Sequence, residues 1–166
     1  MTLPDAEQLF SSLVDQIKPL VTPDTAIVGI HSGGVWLMER LLSLLDADVV
    51  HGTLDVSFYR DDFASRGLHA ETKPSQIAFD VNDRNILLID DVFYTGRTIR
   101  AAMNELFDYG RPASISLAVL VNRGGRELPI SPQISAAEIP LPPEQNLQLQ
   151  RDDNGRFTLK LERADV

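Results

Sequence analysis

Four continuous apolar residues, Ile86-Leu-Leu-Ile89, run into two adjacent carboxylates, Asp90 and Asp91. A run this short and this apolar predicts a strand covered on both faces, as in a parallel sheet, with the acids at its carboxyl end. Beyond the turn Thr95-Gly-Arg-Thr98, residues Ile99, Met103, Leu106 and Phe107 recur at helical spacing and predict one face packed on that sheet. The same succession occurs earlier. Residues 26–30 predict a buried strand, His31-Ser-Gly-Gly34 a tight loop, and the stretch to about Leu45 a helix with Val35, Met38, Leu41, Leu42 and Leu45 inward. Residues 5–20 read as an amphipathic helix opened by Pro4 and Asp5 and ended by Pro19, with Phe10, Leu13, Val14 and Ile17 on one face.

Thr53–Tyr59 alternates, with Leu54, Val56 and Phe58 on one side and Asp55, Ser57 and Tyr59 on the other, which predicts a strand. Residues 61–76 show no period; Ile77, Phe79 and Val81 predict a short returning strand, making about 60–82 a flexible β-arm. Residues 114–121 predict another buried strand, and 131–144 are rich in proline. Leu147 and Leu149, the turn Asp152-Asp-Asn-Gly155, and Phe157, Leu159 and Leu161 predict a closing hairpin. Strands alternating with helices make the fold class α/β, with a mostly parallel central sheet flanked by helices.

At 166 residues the chain reads as one domain, residues 1–166. It has no cysteine, which excludes disulfides, thiolate metal sites and a cysteine nucleophile. No apolar run is long enough to cross a membrane, and residues 1–7 lack the layout of a signal peptide, so a cytoplasmic location is expected. The net charge of −9 disfavours non-specific nucleic-acid binding, which rests on basic surfaces.

Two strand–glycine loop–helix units put two anion-binding loops on one sheet edge. At Thr95, Gly96, Arg97 and Thr98 the free backbone N–H groups and the helix dipole favour a phosphate. The adjacent carboxylates, expected to be exposed, repel each other and need a cation, several donors or solvent; a vicinal diol donates one hydrogen bond to each. A phosphate cradle beside a diol-binding acid pair describes a ribose 5-phosphate site. The alternatives are that Asp90 and Asp91 cap the turn, or that Asp91 is the metal-holding acid of an NTPase. The chain has no Gly-x-x-x-x-Gly-Lys-Ser/Thr loop, which counts against the second. His31, Ser32, Gly33 and Gly34 form the second candidate anion loop, or a plain strand-to-helix turn in which His31 is packed. Arg60, Arg66 and Lys73 are cationic candidates on the arm, and Arg123 and Arg126 follow the 114–121 strand onto the ligand edge.

Residues 86–98, Ile-Leu-Leu-Ile-Asp-Asp-Val-Phe-Tyr-Thr-Gly-Arg-Thr, resemble the phosphoribosyl-pyrophosphate (PRPP) signature of type I phosphoribosyltransferases. In detail they are similar to the pyrimidine operon regulator/uracil phosphoribosyltransferase family. Gly29–Gly34, Leu54–Asp62, Tyr109–Pro112 and Arg123–Ile130 extend that resemblance over about residues 5–140. It implies a type I phosphoribosyltransferase fold with a flexible arm, and a hood at about 131–144 with the C-terminal strands. It also implies transfer of a phosphoribosyl group from PRPP to uracil, giving UMP and pyrophosphate, with Mg²⁺ bound through the substrate.

In that family's pattern Asp90 and Asp91 take the ribose, Thr95–Thr98 the 5-phosphate, and the 31–34 loop the pyrophosphate, often through a non-proline cis peptide. Arg60 and Lys73 on the arm reach the pyrophosphate. The segment with Arg123 and Arg126 lies near the base and phosphate, Arg126 being the chosen substrate contact; the alternative is an arginine paired with Glu127 or Asp91 for structure. The resemblance further implies a homodimer or larger assembly, and binding of pyrimidine-operon mRNA. The acidic charge and Ala136-Ala137-Glu138, where RNA-binding relatives carry a basic residue, oppose the RNA role. Two readings stand beside the enzyme: a UMP-sensing attenuator with little catalysis, and a transferase for a purine base. The chain departs from the family pattern at Gly33, where an Arg is usual, and at Asn122 and Gly125.

Overall fold

The computed structural model describes residues 1–57 and 75–164. Strands β1 (Thr25–Ile30), β2 (Val50–Leu54), β3 (Asn85–Phe93), β4 (Ser114–Asn122) and β5 (Ile134–Glu138) form one sheet in the order β2-β1-β3-β4-β5. Every neighbouring pair is parallel. Helix α1 spans Ala6–Ile17, α2 Gly33–Ser43 and α3 Arg97–Tyr109. Strands β6 (Gln145–Arg151) and β7 (Phe157–Arg163) pair antiparallel as a separate hairpin.

The apolar run of β3 is continuous because both its faces are covered. Leu87 and Ile89 join α1, α2 and the hairpin in one core, with Phe10, Leu13, Leu37, Met38 and Phe157. Ile86 and Leu88 face the other way and pack with Ile99, Ala102 and Leu106 of α3. This is the two-residue alternation of a strand sandwiched between helical layers.

Several elements differ from the sequence pattern. Strand β3 continues through Asp90, Asp91, Val92 and Phe93, because β4 pairs with it as far as Phe93–Asn122. The acids therefore lie within the ladder and are buried, at 1% and 9% exposure, where exposed carboxylates were expected. Strand β2 covers Val50–Leu54 and stops where the expected 53–59 strand was only beginning. Gly52 interrupts the apolar face that Val50 and Leu54 share, and a Cβ on it would lie 2.6 Å from Gln76 O. Between residues 75 and 82 the expected returning strand is a single antiparallel bridge, Thr53–Gln76. Phe58 and Tyr59, and the arm residues Arg60, Arg66 and Lys73, lie outside the described residues.

Phe107 is 54% exposed, and Ala102 takes the place it was expected to fill on the inner face of α3. Part of the proline-rich stretch 131–144 is β5, an edge strand of the main sheet bracketed by Pro132 and Pro140. Prolines lie outside the paired segment, where no ladder hydrogen bond is lost.

The hairpin is clamped to the helical layer. Arg40 of α2 donates from Nη1 to both Glu7 carboxylate oxygens, at 2.7 and 2.9 Å, and from Nη2 to Gly155 O. Its guanidinium lies 3.7 Å from the Phe157 ring centre and 5.1 Å from that of Phe10. Phe157 N donates to the same Glu7 carboxylate at 2.7 Å. One arginine thus ties α1, α2 and the β6–β7 turn together.

Candidate active site

The carboxyl ends of β1 and β3 each pass into a helix on the same edge of the sheet, because parallel pairing aligns them. At the end of β3, Asp91 N donates to Asp90 Oδ1 at 2.9 Å, and Val92 N donates to Asp91 Oδ1 at 2.8 Å. Each carboxylate is thus held by backbone within a buried setting, which fixes the direction in which its remaining acceptor sites point.

Four residues later the chain turns into α3. Gly96 is the N-cap with φ 100°, a left-handed conformation open to glycine at no steric cost, and it makes no side-chain cap. Arg97 N approaches Thr95 Oγ1 at 3.2 Å, and the Thr95 and Thr98 side chains are buried against the turn. The first turn of α3 therefore leaves backbone N–H groups without a side-chain cap beside two buried threonines, an arrangement that suits an anion. Arg97 contributes to it through its backbone. Its guanidinium sits at the rim, where Nε donates to Glu127 Oε1 at 3.0 Å, both side chains being half exposed.

The segment after β4 is zipped onto this turn. Arg123 N donates to Phe93 O at 3.0 Å, and Glu127 N and Leu128 N donate to Thr95 O at 2.9 and 3.3 Å. Arg126 is exposed on this segment, on the ligand edge. Arg123 departs from its expected place near a base: it is 2% exposed, its guanidinium stacks 3.9 Å from the Tyr94 ring centre, and Nη2 donates to Pro142 O at 3.0 Å. A cation stacked and bonded in this way braces the loop against the 139–144 segment. Gly125, at φ 86°, lies over the same tyrosine; a Cβ there would stand 2.5 Å from Tyr94 Cε1. Tyr94 and Glu127 thus organise the site through contacts that join segments about 30 residues apart, which no local pattern could announce.

The second loop closes the other side. The His31–Ser32 peptide is cis, as the resemblance implied. Ser32 is the N-cap of α2 and makes no side-chain cap, so the first-turn N–H groups of α2 are a second candidate end for an anion. Glycines let this end lie directly on β3. A Cβ on Gly34 would collide with Ile89 O and come within 3.1 Å of Asp90 Cα. A Cβ on Gly33 would stand 2.7 Å from Asp91 Cγ and 3.0 Å from Asp91 Cβ. Gly29 of β1 gives the loop room from behind, since a Cβ there would be 3.0 Å from Gly34 O. The carboxylate pair is therefore wedged between two helix ends.

Among the described residues no group of three or more His, Cys, Asp or Glu side chains could hold a metal ion. That lining fits a Mg²⁺ that arrives with the substrate, its ligands being oxygens of the substrate and water, with Asp90 and Asp91 nearby as negative charge. No helix among the described residues is long and apolar enough to cross a membrane.

Comparison with known proteins agrees with this geometry. The phosphoribosyl transferase domain family matches residues 4–140. A Nitrosococcus oceani protein named bifunctional protein PyrR is 51% identical over 137 residues, covering 81% of this chain and 77% of its own length. A Ralstonia nicotianae protein of the same name is 48% identical over 166 residues, covering 95% and 94%. Among solved structures, a hypoxanthine phosphoribosyltransferase from Staphylococcus aureus superposes with a TM-score of 0.63 at 21% identity, over 84% of this chain and 77% of that one. A hypoxanthine-guanine phosphoribosyltransferase from Bacillus anthracis gives 0.65 at 18% identity, over 84% of each chain. At these identities the structural likeness speaks for the fold alone.

Proposed function

Because the chain belongs to the phosphoribosyl transferase family, and within it to the PyrR group, we propose that it transfers the phosphoribosyl group of PRPP to uracil, forming UMP and pyrophosphate. The observation that carries this reading is the buried pair Asp90 and Asp91 set between two uncapped helix ends on one sheet edge. One end suits a monophosphate, the other a pyrophosphate, and the acids suit the ribose hydroxyls between them.

In this mechanism the bond from C1′ to the pyrophosphate oxygen breaks, its electron pair leaving with pyrophosphate, as N1 of uracil bonds to C1′ and gives up its proton to solvent. Positive charge develops on the ribose ring. No protein nucleophile is required, and the work falls to positioning and to charge stabilisation. Thr95, Gly96, Arg97 and Thr98 hold the 5-phosphate, and His31, Ser32, Gly33 and Gly34 face the pyrophosphate. Asp90 and Asp91 accept hydrogen bonds from the ribose hydroxyls and place negative charge beside the developing cation. The chemistry that Mg²⁺ would supply when bound with PRPP is neutralisation of the pyrophosphate charge, and no residue of this chain is assigned to hold it directly. Arg126 is proposed as a nucleotide contact from the exposed loop, and Arg60 and Lys73 as contacts from the arm.

Incubation with PRPP, Mg²⁺ and each free base in turn tests this reading. Uracil should be consumed with equimolar pyrophosphate release, and Asp90→Asn with Asp91→Asn should lower turnover by two orders of magnitude or more while the circular dichroism stays native. Consumption of hypoxanthine or guanine in preference to uracil would replace it with the purine reading. The word bifunctional in the relatives' names favours a regulatory role as well, in which UMP held in this site governs binding of pyrimidine-operon mRNA. A low-salt filter-binding titration of a leader transcript, with and without UMP, measures that role directly.

A further inference from the structure

Gly33 and Asp91 are in direct contact, and that contact joins the two halves of the site. The carboxylate of Asp91 fills the space in which a side chain at position 33 would begin: a Cβ there would be 2.7 Å from Cγ and 3.0 Å from Cβ of Asp91. The next residue is equally constrained, because a Cβ on Gly34 would collide with Ile89 O and crowd Asp90 Cα. The loop cannot move toward β3, and Asp91 cannot swing toward the loop, without one displacing the other. Both Gly33 and Asp91 are buried, so no bulk solvent cushions the contact. Packed interiors transmit such displacements because they contain little free volume.

We propose that Gly33 is a positioning residue for Asp91, and that through this contact the loop facing pyrophosphate and the acid facing ribose behave as one unit. Filling the pyrophosphate half then holds the loop against Asp91 and tightens the sugar phosphate. By thermodynamic reciprocity, the sugar phosphate tightens pyrophosphate by the same factor. This rests on the assignment of the two loops made above. The glycine at this position is thus a functional feature: it exchanges a side chain that could touch the anion for a direct mechanical link between the two subsites.

The test is titration calorimetry with Mg²⁺–pyrophosphate and the carbocyclic analogue of UMP. A ring carbon in place of the ring oxygen prevents the analogue from forming the ribose cation, so nothing reacts during the measurement. In the unaltered protein, saturating Mg²⁺–pyrophosphate should lower the Kd of the analogue by about fivefold or more, the lower end of ordinary coupling factors. In Gly33→Ala the factor, read from the Kd of the analogue with and without saturating Mg²⁺–pyrophosphate, should fall to within twofold of one whatever the Kd of each ligand alone.

Equal Kd values with and without pyrophosphate in the unaltered protein would overturn the proposal, and so would a Gly33→Ala variant that keeps the full factor. Should Gly33→Ala fail to fold, Asp91→Ala removes the other side of the contact, and coupling that survives there overturns the proposal equally. If the unaltered protein binds neither ligand, it is the assignment of the site that fails, an outcome separate from absent coupling.

Discussion

Replacing Arg40 by alanine should cost about 3 kcal/mol of stability and lower the thermal midpoint by roughly 6–12 °C. The estimate follows from what the side chain touches. It makes two hydrogen bonds to the Glu7 carboxylate and one to Gly155 O, and its guanidinium stacks on Phe157. Charge-assisted hydrogen bonds contribute about 1.5–3 kcal/mol when protected. Side-chain exposures of 28% for Arg40 and 31% for Glu7 place this pair between buried and surface cases, so the lower value applies to the pair as a whole. The bond to Gly155 O and the cation–π contact add about 1.5 kcal/mol together. For a chain of this size each kcal/mol moves the midpoint by about 2–4 °C.

The pH dependence supplies a second reading of the same contact. Partial burial raises the Glu7 pKa, but the Arg40 hydrogen bond, the Phe157 N–H and the charges of Arg40 and Arg156 outweigh it, leaving the carboxyl below its ordinary 4.5. A folded-state pKa that is depressed gives stability that is full above the unfolded value and is lost as pH falls through the folded value. The gap in midpoint between the parent and Arg40→Ala should therefore be constant from pH 7 to about 5 and should narrow below about 4.5. Thermal unfolding followed by circular dichroism across that range measures both quantities. A midpoint within 2 °C of the parent at pH 7, or a gap that widens in acid, would refute the reasoning.

Gly34→Ala should destabilise by about 1–3 kcal/mol, because the added methyl meets the backbone of Ile89 and Asp90, which cannot step aside; urea unfolding at constant m-value measures it. Breaking the Arg97–Glu127 pair by Glu127→Ala should change stability by no more than about 0.5 kcal/mol, since both side chains are half exposed. A calorimetric midpoint lowered by more than about 2 °C would show that the rim pair bears weight its exposure does not suggest.

The parts of this molecule legible in the sequence are those with a local signal. The run Ile86–Ile89, the loops at 31–34 and 95–98, the helices that follow them and the closing hairpin all stand where their periodicity and glycines placed them. Parallel pairing then put both loops on one edge, so the placement of the candidate loops could be read before the fold was known. What escaped depends on distant neighbours. The ladder extends through Asp90 and Asp91 because β4 pairs along them, and carboxylates look like a strand's end in any local pattern. Strand β2 is held by pairing with β1, and its buried face, Val50, Gly52 and Leu54, has a glycine at its centre, which leaves too little apolar signal to announce a strand. Strand β5 is hidden among prolines that flank it without interrupting it. Arg123 looked like a ligand-facing cation because an arginine after a buried strand usually reaches solvent. Its stack on Tyr94 and its bond to Pro142 O exist only once residues 94, 123 and 142 have met.

The glycines at 29, 33 and 34 have a consequence for how this protein would look under systematic mutagenesis. Alanine scanning measures importance by deletion: it shortens each side chain and records what is lost. Three positions that shape this site have nothing to delete, and there alanine is an insertion of one methyl group into occupied space. A scan would score the visible charges of Arg97 and Glu127 as tolerant, and a survey that skips glycine would pass over the loop altogether. The sensitivity map of this edge is accordingly uneven: beside the carboxylate pair, the rim charges of Arg97 and Glu127 are replaceable, and the empty positions set the shape that the ligand meets.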